Sequence, residues 1–242
     1  MSDSNISNRN QYWQSIWADT VQAASPFATM GRRSYSIADY FIYVADIVAG
    51  LGGVKSSDRL LDGAGGCGYI SMYFAPLVHH IDLFDYSTEA IAKAVEETKN
   101  FSNINAYEDN LLTLENTLVQ SNGLLYDKVL IGGALQYFDG YDEIKQILQK
   151  IYQVTANNGR VFVTHSADIK RKQAHIDSYQ RLDWTQVEKD KAIADELTHR
   201  LWLDFDEIKN IATEIGFSDC QSVVINSQLF QSTHSFDFFL MK

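Results

Sequence analysis

Leu60-Leu61-Asp62-Gly63-Ala64-Gly65-Gly66-Cys67-Gly68 decides how the chain is read. A short apolar run from Arg59 ends on a carboxylate, and a glycine-dense turn follows. Four of the six residues from Gly63 to Gly68 are glycine. Glycine costs chain entropy, and such density lets backbone approach a ligand with no Cβ in the way. A helical stretch from about Tyr69 to Leu77 comes next, and its first free amides favour a polar or anionic group. Strand, glycine turn and helix in that order read as a ligand-binding corner.

Downstream, apolar runs alternate with amphipathic helices. Ile81 to Phe84 forms a second strand ending at Asp85, and Ser87 caps a helix carrying Ile91, Ala94 and Val95. Ile104 to Tyr107 is a third strand, ending near Asp109. Lys128 to Ile131 is a fourth, closed by Gly132. Ile144, Ile147, Leu148 and Ile151 stripe a helix that turns out at Asn157-Asn158-Gly159, and Val161 to Thr164 is a fifth strand. Asp204 and Glu207 read as a capping box for a helix with Ile208, Ile211 and Ile215, ended by Gly216. Val223 to Ile225 and Phe236 to Met241 are two closing strands with no helix between them. The alternation implies parallel pairing, and the closing pair implies one reversed strand. The expected fold is α/β: a Rossmann-like, seven-stranded, mostly parallel sheet with one antiparallel strand.

Upstream, the first ten residues read as a flexible tail. Tyr12, Trp13, Ile16, Trp17 and Val21 recur at helical spacing. Ser36 caps a second helix whose stripe is Ile37, Tyr40, Phe41, Val44, Ile47, Val48 and Leu51, stopped by Gly50, Gly52 and Gly53. We divide the chain into an N-terminal helical cover, residues 1–57, and a main domain, residues 58–242. Residues 167–200 break the alternation with seven basic and seven acidic side chains in a helical texture. They read as a solvated cap over the strand ends, with a substrate-contacting lid as the sharper reading.

Composition narrows the function. Of 242 residues, 20 are Lys or Arg and 31 are Asp or Glu, giving a net charge of −11. That field opposes a phosphate backbone, so nucleic acid is not the expected partner. Cys67 and Cys220 are the only cysteines, which argues against a disulfide framework or a thiolate metal site and suits a cytoplasmic setting. No run reaches the length needed to span a bilayer, and Met1 to Asn10 lack the apolar core of a signal peptide, so no membrane partner is expected.

The glycine turn admits two ligand classes. Gly63, Gly65 and Gly68 match the GxGxxG dinucleotide fingerprint. The same stretch resembles the first motif of class I S-adenosylmethionine-dependent methyltransferases, with Asp62 as its acidic residue, Ala64 where the first glycine usually stands, and Gly66 and Gly68 matching. Asp62 favours the second reading, because it would repel a pyrophosphate and attract the ammonium of a methionine moiety. Asp85, 23 residues after Asp62, can accept from both ribose hydroxyls. Asp85-Tyr86-Ser87 resembles the family's second motif, with Tyr86 packing on adenine, and Asp109-Asn110 stands where the family places an acidic side chain on the adenine amino group. Tyr126 to Ile131, Asn158 to Val163 and the closing strands extend the resemblance over roughly residues 58–242.

What the resemblance implies is S-adenosylmethionine as cofactor, held by Asp62, Gly63, Ala64, Gly66, Gly68, Asp85, Tyr86, Asp109, Asn110 and Gly132. It implies methyl transfer, with an oxygen or nitrogen of a small sugar or natural-product-like molecule as the expected acceptor. The alternatives are a nicotinamide-dependent oxidoreductase and a non-catalytic S-adenosylmethionine-binding subunit. Gln136 and Tyr137 after strand four, and His165 after strand five, are the candidate catalytic residues, since open α/β sheets bind ligands at those ends. His165 is placed at the rim as a general base, with His175 and His199 of the cap able to reach the same cavity. No metal is expected. Arg32 and Arg33 could hold a carboxylate or phosphate of the acceptor, but a solvated surface pair is the expectation.

Overall fold

The structure is a computed structural model and describes residues 8–23, 25–181 and 183–242. Residues 1–7, most of the expected tail, lie outside it. Helix α1 (Asn8–Val21) begins within the stretch read as tail. It is followed by the single turn α2 (Pro26–Thr29) and by α3 (Ile37–Gly50). Ser36 caps α3 as the sequence indicates, in a reciprocal box with Asp39 that satisfies two free amides.

The alternating part runs β1 (Arg59–Gly63), α4 (Tyr69–Phe74), β2 (His80–Asp85), α5 (Thr88–Thr98), β3 (Ile104–Glu108), α6 (Glu115–Gln120), β4 (Tyr126–Gly132), α7 (Tyr141–Val154) and β5 (Thr155–Ala167). The cap follows, with one 3-10 turn before α8 (Lys172–Ser178) and another between α8 and α9 (Gln186–His199). Then come α10 (Phe205–Ile215), β6 (Asp219–Val223) and β7 (Ser235–Met241). The seven strands lie in the order β3-β2-β1-β4-β5-β7-β6. β7 runs antiparallel to both of its neighbours, and all other pairs are parallel. The winding reverses between β1 and β4, and a crevice opens at the carboxyl ends of such a pair.

The sheet is buried on both faces, so its central strands are almost wholly apolar. On one face Val129, Ile131, Val161 and Val163 pack with Ile144, Ile147, Leu148 and Ile151 of α7 and with Ile208 of α10. On the other, Leu60, Leu130 and Phe162 pack with Tyr43, Val44, Ile47 and Leu51. Helix α3 therefore shares the core of the sheet. Its last residue, Gly50, rides on the Phe162 ring, where an added Cβ would lie 2.3 Å from ring carbons.

Several local expectations change. Ile37 and Phe41, read as part of the α3 stripe, are exposed, while Tyr43 is buried instead. The expected Asp204–Glu207 capping box does not form; Asp204 accepts from the Asp206 amide. Helix α6 has no counterpart in the sequence reading. It is one and a half turns long and starts from Leu114 in the left-handed region, φ 51°. The last strand pair is shifted: β6 spans Asp219–Val223 rather than Val223 to Ile225.

Candidate active site

Two adjoining cavities open at the switch between β1 and β4. The first, about 100 Å³, is walled by the glycine turn, Asp62, Asp85, Tyr86, Gly132, Gly133 and Tyr137, and by Trp17, Met30, Arg32 and Tyr43 from the N-terminal helices. The second, about 440 Å³, is walled by Asp109, Asn110, Leu111, Leu112, Phe84 and Phe138, with Trp13 and Gln14 of α1. Ala64, Tyr86, Ala134 and Tyr137 line both. The result is one elongated hollow, with Asp62, Asp85 and Arg32 at one end and Asp109, Asp139 and Glu143 among the walls of the other.

The turn is shaped by close approach. A Cβ on Gly65 would lie 2.1 Å from Leu83 Cδ1 and 2.8 Å from Asp62 Cγ, so only glycine fits there. Gly65 faces the hollow and is absent from the residues that the resemblance implies. Ala64 sits at φ 56°, a conformation costly for a residue with a Cβ, which explains why glycine suits that position. Gly63 and Gly68, expected to touch the ligand, line neither cavity. Their missing side chains make room for Phe84 and for Thr98 and Leu83 respectively, so they shape the turn from behind.

The carboxylates follow their strands. Asp62 is buried and accepts from Ser71 Oγ at 2.6 Å. Burial disfavours its charged form and pushes its pKa up to about 7, with Asp85 adding to the rise and Ser71 opposing it. Asp85 accepts from the amides of Gly66 and Ser87, each at 3.0 Å, and burial raises its pKa as well. These two bonds fix the carboxylate over the turn and leave lone pairs aimed into the hollow. Asp109 is engaged differently. One oxygen accepts from both the amide and the hydroxyl of Thr117, at 2.6 and 2.7 Å, and the other from the Asn110 amide. It ties down α6, and only its remaining lone pairs face the second cavity. Asn110 Oδ1 accepts from the Leu112 amide.

Of the three candidate catalytic residues, only Tyr137 lines the hollow; its ring packs on Trp13 at 4.4 Å and on Trp17 at 5.7 Å. Gln136 is folded back onto the Gly133 carbonyl at 2.6 Å and is buried. His165 does not stand at the rim as expected. β5 continues to Ala167, and its pairing with β7 shifts register between Val163 and Ser166. His165 occupies that bulge at φ 54°, its amide held by Asp237 at 2.6 Å. The bulge re-aims the ring. It stacks on Tyr43 at 4.7 Å, and its Nδ1 meets Arg32 Nη2 at 2.7 Å. A guanidinium only donates, so Nδ1 accepts and the proton resides on Nε2. Burial, then Arg32 and His234, hold the imidazole well below its ordinary pKa. So placed, His165 lines neither cavity.

Arg32 overturns another expectation. Arg33 is exposed, but Arg32 turns inward and forms part of the cavity wall. None of the cap's described residues lines either cavity. His175 is buried against His234 and Trp202, and His199 meets α1 instead. The Trp13 indole donates to the His199 carbonyl at 2.7 Å, and Tyr12 stacks on its ring at 3.9 Å. Among the described residues no three potential metal-ligating side chains come together.

The strand order and the hollow at its switch point define a Rossmann-like fold. A family model for the methyltransferase domain matches residues 61–161, from β1 into β5. The overall fold is thus the one shared by solved S-adenosylmethionine-dependent methyltransferases. Similar solved structures include the N-methyltransferase NodS from Bradyrhizobium japonicum WM9 in complex with S-adenosyl-L-homocysteine. It has 14% identity over 98% of this chain and 99% of that one, with a TM-score of 0.66. Magnesium protoporphyrin IX methyltransferase from Synechocystis PCC 6803, with the same bound product, has 13% identity over 96% and 97%, TM-score 0.66. An S-adenosylmethionine-dependent methyltransferase from Leishmania major has 14% identity over 100% and 87%, TM-score 0.69. At these identities the likeness speaks for the fold. No curated protein matches the chain.

Proposed function

We propose that this protein transfers a methyl group from S-adenosylmethionine to an oxygen or nitrogen of a small molecule. The observation that carries this reading is the hollow itself, with two buried carboxyls beside the glycine turn and a wider slot beyond, walled by Tyr86, Leu111, Phe138 and Asp109. The cofactor supplies an electrophilic methyl on a sulfonium. Asp62 would meet its ammonium, and Asp85 would accept from the ribose hydroxyls. Tyr86, Leu111 and Phe138 would flank the purine, with Asp109 and Asn110 beyond. Gly66 presents open space at the turn, Gly132 closes the opposite wall, and Ala64 joins the two cavities.

Methyl transfer asks mainly for alignment, because the donor is already activated. Here alignment falls to Tyr137, the corner after β4, and the aromatic roof of Trp13 and Trp17, which also excludes water. We assign the roof to the N-terminal cover, residues 1–57, and the cofactor floor to the domain of residues 58–242. The cap at 167–200 acts at one remove, by holding α1. A small acceptor is supported by the enclosure and by the net charge of −11, which disfavours nucleic acid. No described helix is long and apolar enough to cross a membrane.

A thermal-shift comparison tests the reading. S-adenosylhomocysteine should raise Tm and NADH should not. Transfer of labelled methyl to a panel of small alcohols and amines should then identify turnover. Stabilisation by NADH alone would overturn the proposal.

A further inference from the structure

Among the described residues that line the hollow, one carries a positive charge, and the reading above gives it no task. Arg32, in the loop between α2 and α3, lines the first cavity. It donates to the Met30 carbonyl at 2.7 Å, to the Tyr43 hydroxyl at 2.9 Å and to His165 Nδ1 at 2.7 Å. Each of these partners is neutral. Its Nε is buried without a hydrogen bond. Among the described residues no carboxylate lies within 4.0 Å of the guanidinium. Asp237, which feels the guanidinium from further away, is engaged by the His165 amide. A guanidinium drawn out of water without a counter-ion is costly. This one is also fixed in place, with the Tyr43 ring 4.4 Å from its centre and the His165 ring behind it. Its planar fork matches a carboxylate or a phosphate.

We propose that Arg32 is the specificity-determining residue of the acceptor site, and that the acceptor carries a carboxylate or phosphate which this guanidinium binds. The inference rests on the methyltransferase reading. Position favours the acceptor over the donor. A Cβ on Gly133 would lie 3.7 Å from Arg32 Nη2 and 3.7 Å from His165 Cβ, so the guanidinium stands over the corner between the ends of β4 and β5. Asp85, Tyr86 and the glycine turn stand at the ends of β1 and β2. Trp17, Tyr43 and Tyr137 wall the same cavity, which suits an acid built on a ring.

The test is calorimetric titration of benzoate, phenyl phosphate and neutral benzamide into protein saturated with S-adenosylhomocysteine. Wild type, Arg32→Met and Arg32→Lys are compared. In wild type at least one anion should bind about tenfold or more tighter than benzamide, the range for a charge-assisted hydrogen bond. Arg32→Met should abolish that preference and Arg32→Lys should keep part of it. Both variants should bind S-adenosylhomocysteine within about threefold of wild type, which also reports that they fold. Absence of any anion preference in wild type would overturn the proposal. So would an Arg32→Met that weakens S-adenosylhomocysteine about tenfold while sparing methylthioadenosine, for the arginine would then hold the donor's carboxylate. Failure of S-adenosylhomocysteine to bind wild type at all would be a different result, and would bring down the methyltransferase reading itself.

Discussion

The two ends of the hollow are built in different ways. The end at β1 and β2 is made from main chain and from side chains close in sequence: Asp62, the turn through Gly68, and Asp85, whose carboxylate is fixed by amides within the same two corners. The end at β4 and β5 is made from side chains that meet only in the folded protein. Arg32, Tyr43, Thr164, His165 and Asp237 come from four separate segments and hold one another by side-chain bonds. The first construction is rigid and tied to one ligand shape. The second can exchange a residue without disturbing the turn, which is what a fold serving many acceptors requires.

If that division holds, the largest effect comes from filling the turn. Gly65→Val should abolish S-adenosylhomocysteine binding, by about a hundredfold or more in calorimetry, because its Cβ would overlap Leu83 and Asp62. Near-normal affinity would show that the turn yields more than its packing suggests.

Asp62 offers a pH test. Its folded pKa is about 7, whereas an unfolded aspartate titrates near 4. Between those values the folded state keeps a proton that the unfolded state releases. The unfolded state then binds fewer protons, so stability falls as pH rises from about 4 to 7 and is level above. Urea unfolding of wild type should therefore lose up to a few kcal/mol across that window relative to Asp62→Asn. A constant difference between the two proteins would refute the buried-carboxyl account.

Asp85→Ala should weaken S-adenosylhomocysteine by about 1.5–3 kcal/mol, ten- to a hundredfold, the range for a hydrogen bond to a charged group. Unchanged affinity would move the ribose anchor elsewhere. The smallest effect is expected from Tyr137→Phe. Its ring contacts with Trp13 and Trp17 survive, so cofactor affinity should stay within about threefold while any loss appears in turnover. A larger change in cofactor affinity would blur the boundary between the two ends.

The same division explains what was legible in the sequence. Period, caps and glycines reported the alternation of strands and helices, the Ser36 and Ser87 caps, and the carboxylates at the ends of β1 and β2, because each depends on neighbours a few residues away. Arg32 read as a surface residue because nothing in its local sequence says that the chain folds back over Tyr43. His165 read as a strand end because a one-residue bulge leaves no trace in the apolar run before it. Its left-handed φ follows from the Asp237 carboxylate, which lies 72 residues away. Glu207 fits a capping box by spacing, yet Asp204 satisfies the helix end alone.

Helix α1 supplies Trp13, Gln14, Trp17 and Val21 to the walls of both cavities. Its polar hold on the body includes the Trp13 bond to His199, the Tyr12 stack, and Lys93 reaching the Val21 carbonyl. Segments held by few contacts open locally, at a free energy well below that of global unfolding. Such an opening uncovers the whole hollow at once, and a bound molecule that touches α1 must oppose it. The amides of α1 should then exchange with solvent at a rate set by occupancy of the hollow, which makes this helix a built-in reporter of how long each ligand stays.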